Sequence, residues 1–488
     1  MLPLKTLLFS ALIVLLSQFS FADLSIQEQD HLKRRTMLAM EKIDNAILIN
    51  NTQDFIISMY QQILKVSPNE EELLTISMLL DGYGLHNPID RSHFVEQLLV
   101  IKAGDSDHIS WKFLSENIQL LENLNLKSLP VSGVFEVREF EEDVEVQRHR
   151  YLKPLRNNEE YNVYFGYLHA HSELSDGRGD ARDAYSMAKE IAGLDYFALT
   201  DHSELLHFWP WEKKYKKLIE VSNEFNENGR FAALYGFEWS HPILGHFNVV
   251  NTKKYTSAIL RPTMWFLMRW LGKKKGAFGR FNHPGRINMK YWPKEFNKLK
   301  VYKKALKNVV GIEMFNKRDG VKQYLYERGS FKKNHNFLDN ANLKGWYVGT
   351  VGGQDNHDAD WGLRNDFRVG VWAKELTRQG IVDAYFARRT FATEDKNAWM
   401  SFRVDGAEMG SRLTPGNYQF TIHFGDPDGE AVKSVKLVKR GRVIKEYDLS
   451  ENQTITDRLE GEKKDYFYVV AEQSDGDFLL SSPVWIVK

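Results

Sequence analysis

The feature that most constrains this chain is a series of short apolar runs, rich in aromatic and β-branched residues, at 163–168, 196–199, 231–235, 247–250, 278–281, 309–314, 347–351 and 369–372. Runs of this length are strands rather than helices, and the stretches between them are long enough to hold helices. Strands alternating with helices predict a parallel α/β sheet or barrel.

What ends these runs is the second constraint. His169-Ala170-His171 follows the first, and side chains two apart in an extended segment point the same way, so the two imidazoles can chelate one ion. Asp176 follows in Ser175-Asp176-Gly177, where the glycine permits a tight turn back toward the same ion. Asp201-His202 follows the second run, Glu238 the third, and His246 opens the fourth; His283 comes after the fifth in Asn282-His283-Pro284-Gly285, and Asp355-Asn356-His357 after the run at 347–351 and a Gly-Gly turn. In an α/β barrel the carboxyl ends of the strands form one rim, so groups far apart in sequence converge there. Imidazoles and carboxylates without a thiolate suit two or three divalent ions of Zn, Mn or Fe. Such ions lower the pKa of bound water, create hydroxide as nucleophile and stabilise negative charge on the group attacked.

The ordered set His-x-His, Ser-Asp-Gly, Thr-Asp-His, Glu, Gly-His, Asn-His-Pro and Asp-x-His resembles the polymerase and histidinol phosphatase (PHP) family of metal-dependent phosphoesterases. The resemblance covers roughly residues 155–396 and, with a β-rich tail, is similar to the secreted branch often called CehA/McbA metallohydrolases. It implies an α/β fold, a distorted barrel of seven parallel strands, with a two- or three-metal centre at the carboxyl rim. It also implies that His169, His171, Glu238 and Asp355 hold a first ion, that Glu238 bridges to a second held by Asp176, His202 and His246, and that His283 and His357 complete a third or shared position. Glu238, Asp355 and His357 are the expected catalytic residues. One departure stands out: the family often reads Gly-Asp-Leu-His where this chain has Gly166-Tyr167-Leu168-His169, so the carboxylate that would steady the first histidine is missing. His241 also lies close enough in sequence to replace His246.

Flanking segments complete the expected layout. Lys5 precedes an apolar run at 7–16 that ends in Ser20-Phe21-Ala22, a signal-peptide pattern over residues 1–22 too short to span a bilayer, which predicts a periplasmic or secreted protein without a transmembrane anchor. Residues 23–130 show helical periodicity, and 398–488 show alternating strands with Asp-Gly and Pro-Gly turns, a small β-sandwich. With 65 Lys+Arg against 65 Asp+Glu there is no global field to hold nucleic acid, and Cys 0 excludes disulfides.

The expected function is a phosphoesterase or phosphodiesterase using a metal-bound hydroxide on a small-molecule or oligonucleotide phosphate ester. Carboxylic or carbamate ester hydrolysis on the same centre, and a non-catalytic metal-containing binding protein, are the alternatives. Arg178 and Arg286, and less so Lys317 and Arg364, are near enough to the motifs to clamp an anion; His207 and His241 are candidate proton donors. The aromatic segment 262–271 fits a lid, an interfacial helix or a helix packed on the barrel, and Phe208-Trp209-Pro210-Trp211 fits base or sugar stacking as well as core packing.

Overall fold

The computed structural model describes residues 161–206, 211–286, 294–328, 335–449 and 453–487, with a few positions between 52 and 77. The chain divides into two compact units, one of Met1–Glu145 with His207–Glu212 and one of Val146–Leu206 with Lys213–Lys488. In the first, the helix Thr52–Met59 lies within the expected helical region. The leader, most of 23–130, His207 and the aromatics at 208–210 lie outside the described residues. No described helix is long and apolar enough to cross a membrane.

The second unit is a mixed α/β structure built on a curled sheet. Its strands are β1 (Asn162–Tyr167), β2 (Tyr196–Leu199), β3 (Ala232–His241), β4 (Gly245–Val250), β5 (Phe278–Phe281), β6 (Val309–Asn316), β7 (Gly349–Gly353), β8 (Arg368–Ala373) and β9 (Thr390–Thr393), in spatial order β9-β8-β1-β2-β3-β4-β5-β6-β7. Each expected run falls on one of these. β2, β3, β5 and β6 are buried along their whole length, which is why they read as continuous apolar runs rather than alternating ones. The sheet curls so that the chain after β7 meets the chain after β1 at the rim, where Ala170 and Asn356 form a parallel bridge and Asp355 N–H donates to the His169 carbonyl at 2.9 Å.

The expectation of a wholly parallel barrel is corrected in two places. β4 runs antiparallel to both β3 and β5, and β8 runs antiparallel to β1. For β4 the reason is local: only three residues separate it from β3, too few for a crossover, and the connection closes as a hairpin with Gly245 at φ 83.

Beyond β9 the chain forms β10 (Trp399–Val404), β11 (Ala407–Glu408), β12 (Arg412–Leu413), β13 (Gly416–Gly425), β14 (Val432–Lys439), β15 (Arg442–Asp448), β16 (Thr454–Gly461), β17 (Tyr466–Gln473), β18 (Phe478–Ser481) and β19 (Val484–Ile486). β11-β10-β13-β16 make a separate sheet, whereas β18 pairs with β9 and carries the barrel sheet on into β17, β14 and β19. The composition change near residue 397 therefore marks a change of pattern, not a break between cores. Phe402, Phe420, Ile422, Leu437 and Val469 of the tail share one buried cluster with Val163, Phe165, Trp372 and Phe391 of the barrel strands. The helix Met264–Leu271 buries Met264, Leu267, Met268 and Leu271, sets Trp270 edge-on to Phe237 of β3 at 5.7 Å and leaves Trp265 and Phe266 exposed.

Candidate metal centre

The strand ends place the expected ligands. Thr200 N–H donates to the Ala170 carbonyl and Glu238 N–H to the Asp201 carbonyl, so the ends of β1, β2 and β3 lie side by side, and His202 and Glu238 are bridge partners. In the β3–β4 hairpin Glu238 pairs with Asn248, Ser240 with His246 and His241 with Gly245. Side chains alternate along a strand, so His246 shares the face of Glu238 and His241 takes the other. There His241 is consumed structurally: its Nδ1 accepts from Ile243 N (3.1 Å) and Leu244 N (3.0 Å), which leaves Nε2–H to donate to the Pro262 carbonyl (3.0 Å).

All the expected ligands meet around Glu238, which is fully buried. Its Oε1 lies 3.2 Å from His169 Nε2, 3.3 Å from His246 Nδ1 and 3.4 Å from His283 Nε2, while its Oε2 lies 3.5 Å from His171 Nε2 and 2.9 Å from His202 Nδ1. Asp355 Oδ1 is 3.1 Å from His171 Nε2 and 3.4 Å from His169 Nε2. Asp176 lies 3.6 Å from His202 Nε2 and 3.5 Å from His357 Nε2. Four overlapping groups result: His171, Asp176, His202 and His357; His169, Glu238 and His283; His169, His171 and Asp355; His202, Glu238 and His246. The partition implied by the family resemblance leaves His357 and His283 outside the two main positions, whereas here they stand with Asp176 and with Glu238.

The residues fit divalent cations. Two atoms each about 2.1 Å from one ion, at a near-tetrahedral angle, sit roughly 3.4 Å apart, the spacing found here. His169 Nε2, both ring nitrogens of His171, Glu238 Oε2 and His246 Nδ1 are buried without a hydrogen-bond partner among the described residues. Orphaned atoms of this kind are costly unless a further group satisfies them.

Electrostatics agree. Burial by itself would raise the carboxyls, yet His169, His246 and His202 hold Glu238 well below its usual range, and His169 and His171 do the same for Asp355. Burial by itself would lower His169, but the Glu313, Asp355 and Glu238 carboxylates push it up to about 10. Burial, with His357 and His202 beside it, lowers His171 to about 3. The centre is thus a concentration of ionised carboxylates that requires positive charge, and divalent cations would replace imidazole protons in supplying it.

Several contributing residues were not visible as such in the sequence. Glu313, mid-strand in β6 and fully buried, accepts from His169 Nδ1 at 2.8 Å and from His283 N at 2.6 Å. It supplies from another strand the carboxylate that the Gly-Tyr-Leu-His motif lacks; the signal was a single acid within an otherwise apolar run. Because a carboxylate held below its usual range by His169 and Arg280 can only accept, a His169 proton is held on Nδ1, and Nε2 is the nitrogen whose proton a metal ion would displace. Gly353 allows this packing, since a Cβ there would lie 2.4 Å from His169 Cβ. Asp201 binds Ser172 N (2.8 Å) and Ser175 Oγ (2.7 Å) and so fixes the turn that presents Asp176. Asp355 itself adopts φ 49, a left-handed conformation uncommon for a non-glycine residue.

Of the expected anion-binding residues, Arg286 reaches the centre, its Nη1 2.9 Å from Asp355 Oδ2 and 2.8 Å from Asn316 Oδ1, and Lys317 Nζ lies 3.6 Å from the same Asp355 oxygen. Arg178 touches the site through its backbone, donating to the His357 carbonyl at 2.8 Å, and its side chain is exposed. Arg364 is turned to Asp360 and Asp358, each at 2.8 Å.

No protein-family model matches the chain. An uncharacterized protein of Chlamydia pneumoniae is similar at 22% identity, over 67% of this chain and 57% of that protein, and one of Chlamydia muridarum at 21% over the same shares. The chain thus spans 57% of the length of these curated relatives. Among solved structures, a two-domain protein from Bacteroides vulgatus containing a predicted PHP-like metal-dependent phosphoesterase is similar at 19% identity, with a TM-score of 0.37, over 66% of this chain and 95% of that one.

Proposed function

We propose that this chain is a metal-dependent hydrolase of phosphate esters, acting outside the cytoplasm as the leader pattern at 1–22 suggests. One observation carries the reading: buried, partnerless imidazole nitrogens and ionised carboxylates surround Glu238, with two cationic side chains beside Asp355. His169, His171, Asp176, His202, Glu238, His246, His283, Asp355 and His357 would hold two or three divalent ions. Such ions supply an activated water at neutral pH and neutralise charge on the phosphoryl oxygens.

The protein's own groups do the rest. Glu313 holds a proton on His169 Nδ1 and so leaves Nε2, aimed inward, as the nitrogen a metal ion would take. The Asp355 carbonyl accepts from His357 Nδ1 at 2.9 Å, so the proton is on that nitrogen and Nε2 faces Asp176. Arg286 and Lys317, each about one-third exposed, can turn from Asp355 to the anionic oxygens of an incoming ester, with the Arg286 fork favouring a phosphoryl group over a neutral carbonyl.

Metal analysis and an ester panel test this. Purified protein should carry two or three ions per chain and hydrolyse generic phosphomonoesters or phosphodiesters ahead of carboxylic and carbamate esters, and Glu238→Ala should lose both bound metal and turnover. Unchanged hydrolysis by Glu238→Ala would reject the proposal, and a preference for carboxylic esters would reassign the bond.

A further inference from the structure

Away from this centre, the tail carries a second set of oxygen donors. Asp395 lies between β9 and β10, Asp426 and Glu430 lie in the link from β13 to β14, which crosses between the two sheets, and one carboxylate oxygen of each falls within 4.8 Å of the others. Asp426 and Glu430 line a cavity of about 260 Å³ whose wall also holds Gln473, at the end of β17, and Trp399. The backbone pins two of the three carboxylates in place. Asp395 Oδ1 accepts from Asn397 N (2.6 Å) and Ala398 N (2.8 Å), and Asp426 Oδ1 accepts from Asp428 N (2.7 Å), with Gly429 at φ 90 turning the link.

Three carboxylates this close repel one another; Lys396 Nζ is bound to Asp428 at 2.8 Å and acts on Asp395 only through its field, and burial with the Asp426 and Asp395 carboxylates pushes Glu430 up to about 7. Gln473 gives an independent indication of a ligand. It is fully buried, and its Nε2 donates to Asp426 Oδ2 at 2.8 Å, which fixes the amide orientation. Its carbonyl Oε1 is left buried with no donor among the described residues. The Trp399 indole N–H in the same wall is likewise unpartnered there. An amide oxygen without a donor among the described residues, in the same wall as Asp426 and Glu430, is satisfied by a cation as well as by a hydrogen bond.

We propose that Asp395, Asp426, Glu430 and Gln473 Oε1 form a calcium site, distinct from the imidazole-rich centre. All four donors are hard oxygens, which suit Ca²⁺ rather than the borderline metals that histidines favour. Side-chain oxygens fill part of a six- to eight-oxygen shell, and water completes it. The ion ties the β9–β10 link to the β13–β14 link and β17. Glu394, the residue before Asp395, accepts from Val321 N (2.6 Å) beyond β6 and from Phe478 N (2.8 Å), so the clasp sits where the tail joins the barrel.

The test is a calcium titration of the full chain, already loaded with manganese and freed of calcium, followed by calorimetry and by melting. The wild type should bind one Ca²⁺ with a Kd of about 10⁻⁴ to 10⁻³ M, the range of extracellular modules. Its melting midpoint should rise by about 3 °C when calcium is roughly tenfold above Kd. Asp426→Asn and Glu430→Gln should each weaken binding by about tenfold or more, because ligand charge sets affinity in such sites, whereas Asp428→Asn and phosphate-ester hydrolysis should be unaffected. Glu430 is partly exposed, so its variant folds even if Asp426→Asn does not. Absence of calcium binding to the wild type at about 10 mM, an upper limit set by the weakest such modules, or wild-type affinity in Glu430→Gln, overturns the assignment.

Discussion

Replacing Glu313 by glutamine keeps the shape of the side chain and removes its charge, and the four groups around the carboxylate determine the outcome. Oε1 receives His169 Nδ1–H and faces Arg280 Nη2 at 3.2 Å, while Oε2 receives His283 N–H and Asn316 Nδ2 at 3.0 Å. Whichever way the new amide is placed, its NH₂ meets a donor. Facing His169, it drives the imidazole to the other tautomer and puts the proton on Nε2, the nitrogen aimed at Glu238 and Asp355. Loss of such an outer partner typically weakens metal binding by about 10- to 100-fold, or roughly 1.4–2.7 kcal/mol. Arg280 is fully buried and loses its counter-charge, which costs about 3–5 kcal/mol of stability. Competition with a chromophoric chelator measures the first effect and urea unfolding the second. The double variant Arg280→Met, Glu313→Gln separates them: stability should largely return because no buried charge is left unpaired, while metal affinity stays low. Recovery of both in the double variant would show that Glu313 serves only to neutralise Arg280, and the positioning role of the carboxylate would be refuted.

Two further outcomes are expected. His246→Ala should reduce bound metal with little change in fold, whereas His241→Ala should retain its metal and lose about 2–3 kcal/mol of stability, because two backbone N–H groups and one carbonyl lose their buried partner; metal analysis beside urea titration distinguishes the two. Burial pushes the Glu295 carboxyl, which accepts from Gly285 N at 3.0 Å, up to about 8 from an ordinary 4.5. The folded state therefore binds the extra proton between those values, and wild-type stability should fall by up to roughly 1.4 kcal/mol per pH unit from pH 5 to 8 relative to Glu295→Gln, whose amide does not titrate. Parallel stability curves for the two proteins over that range would contradict the burial argument.

The candidate ligands were legible because most of them interrupt or closely follow an apolar run, and neighbouring runs of a curled sheet converge at one rim. His169 and Asp355 are far apart in sequence, yet the Asp355 N–H bonds to the His169 carbonyl because β1 and β7 are brought together at the rim. Local pattern could not give strand direction. The run containing Phe247 and Val250 reads as a strand, but its antiparallel course depends on the short turn to β3, and that same turn decides between His241 and His246 by parity: with Ser240 opposite His246, only one of the two histidines can share a face with Glu238.

Glu313 shows what pattern reading loses. A residue at a strand end announces itself by interrupting an apolar run, whereas one in mid-strand is read as part of the run, and its partner His169 lies 144 residues away. The missing acid in Gly166-Tyr167-Leu168-His169 was visible; its replacement from a different strand was not, because hydrogen bonding to an imidazole fixes where a carboxylate must be in space and leaves its place in the chain free. The same freedom explains the tail. Its strands alternate plainly in sequence, but pairing between β9 and β18, such as Thr393 with Leu479, is a long-range register that only the folded chain expresses. Through it the curled sheet and the β-rich tail share one core, so a substitution at Phe402 or Leu437 should be felt by the strands that carry the candidate metal centre as well as by the tail.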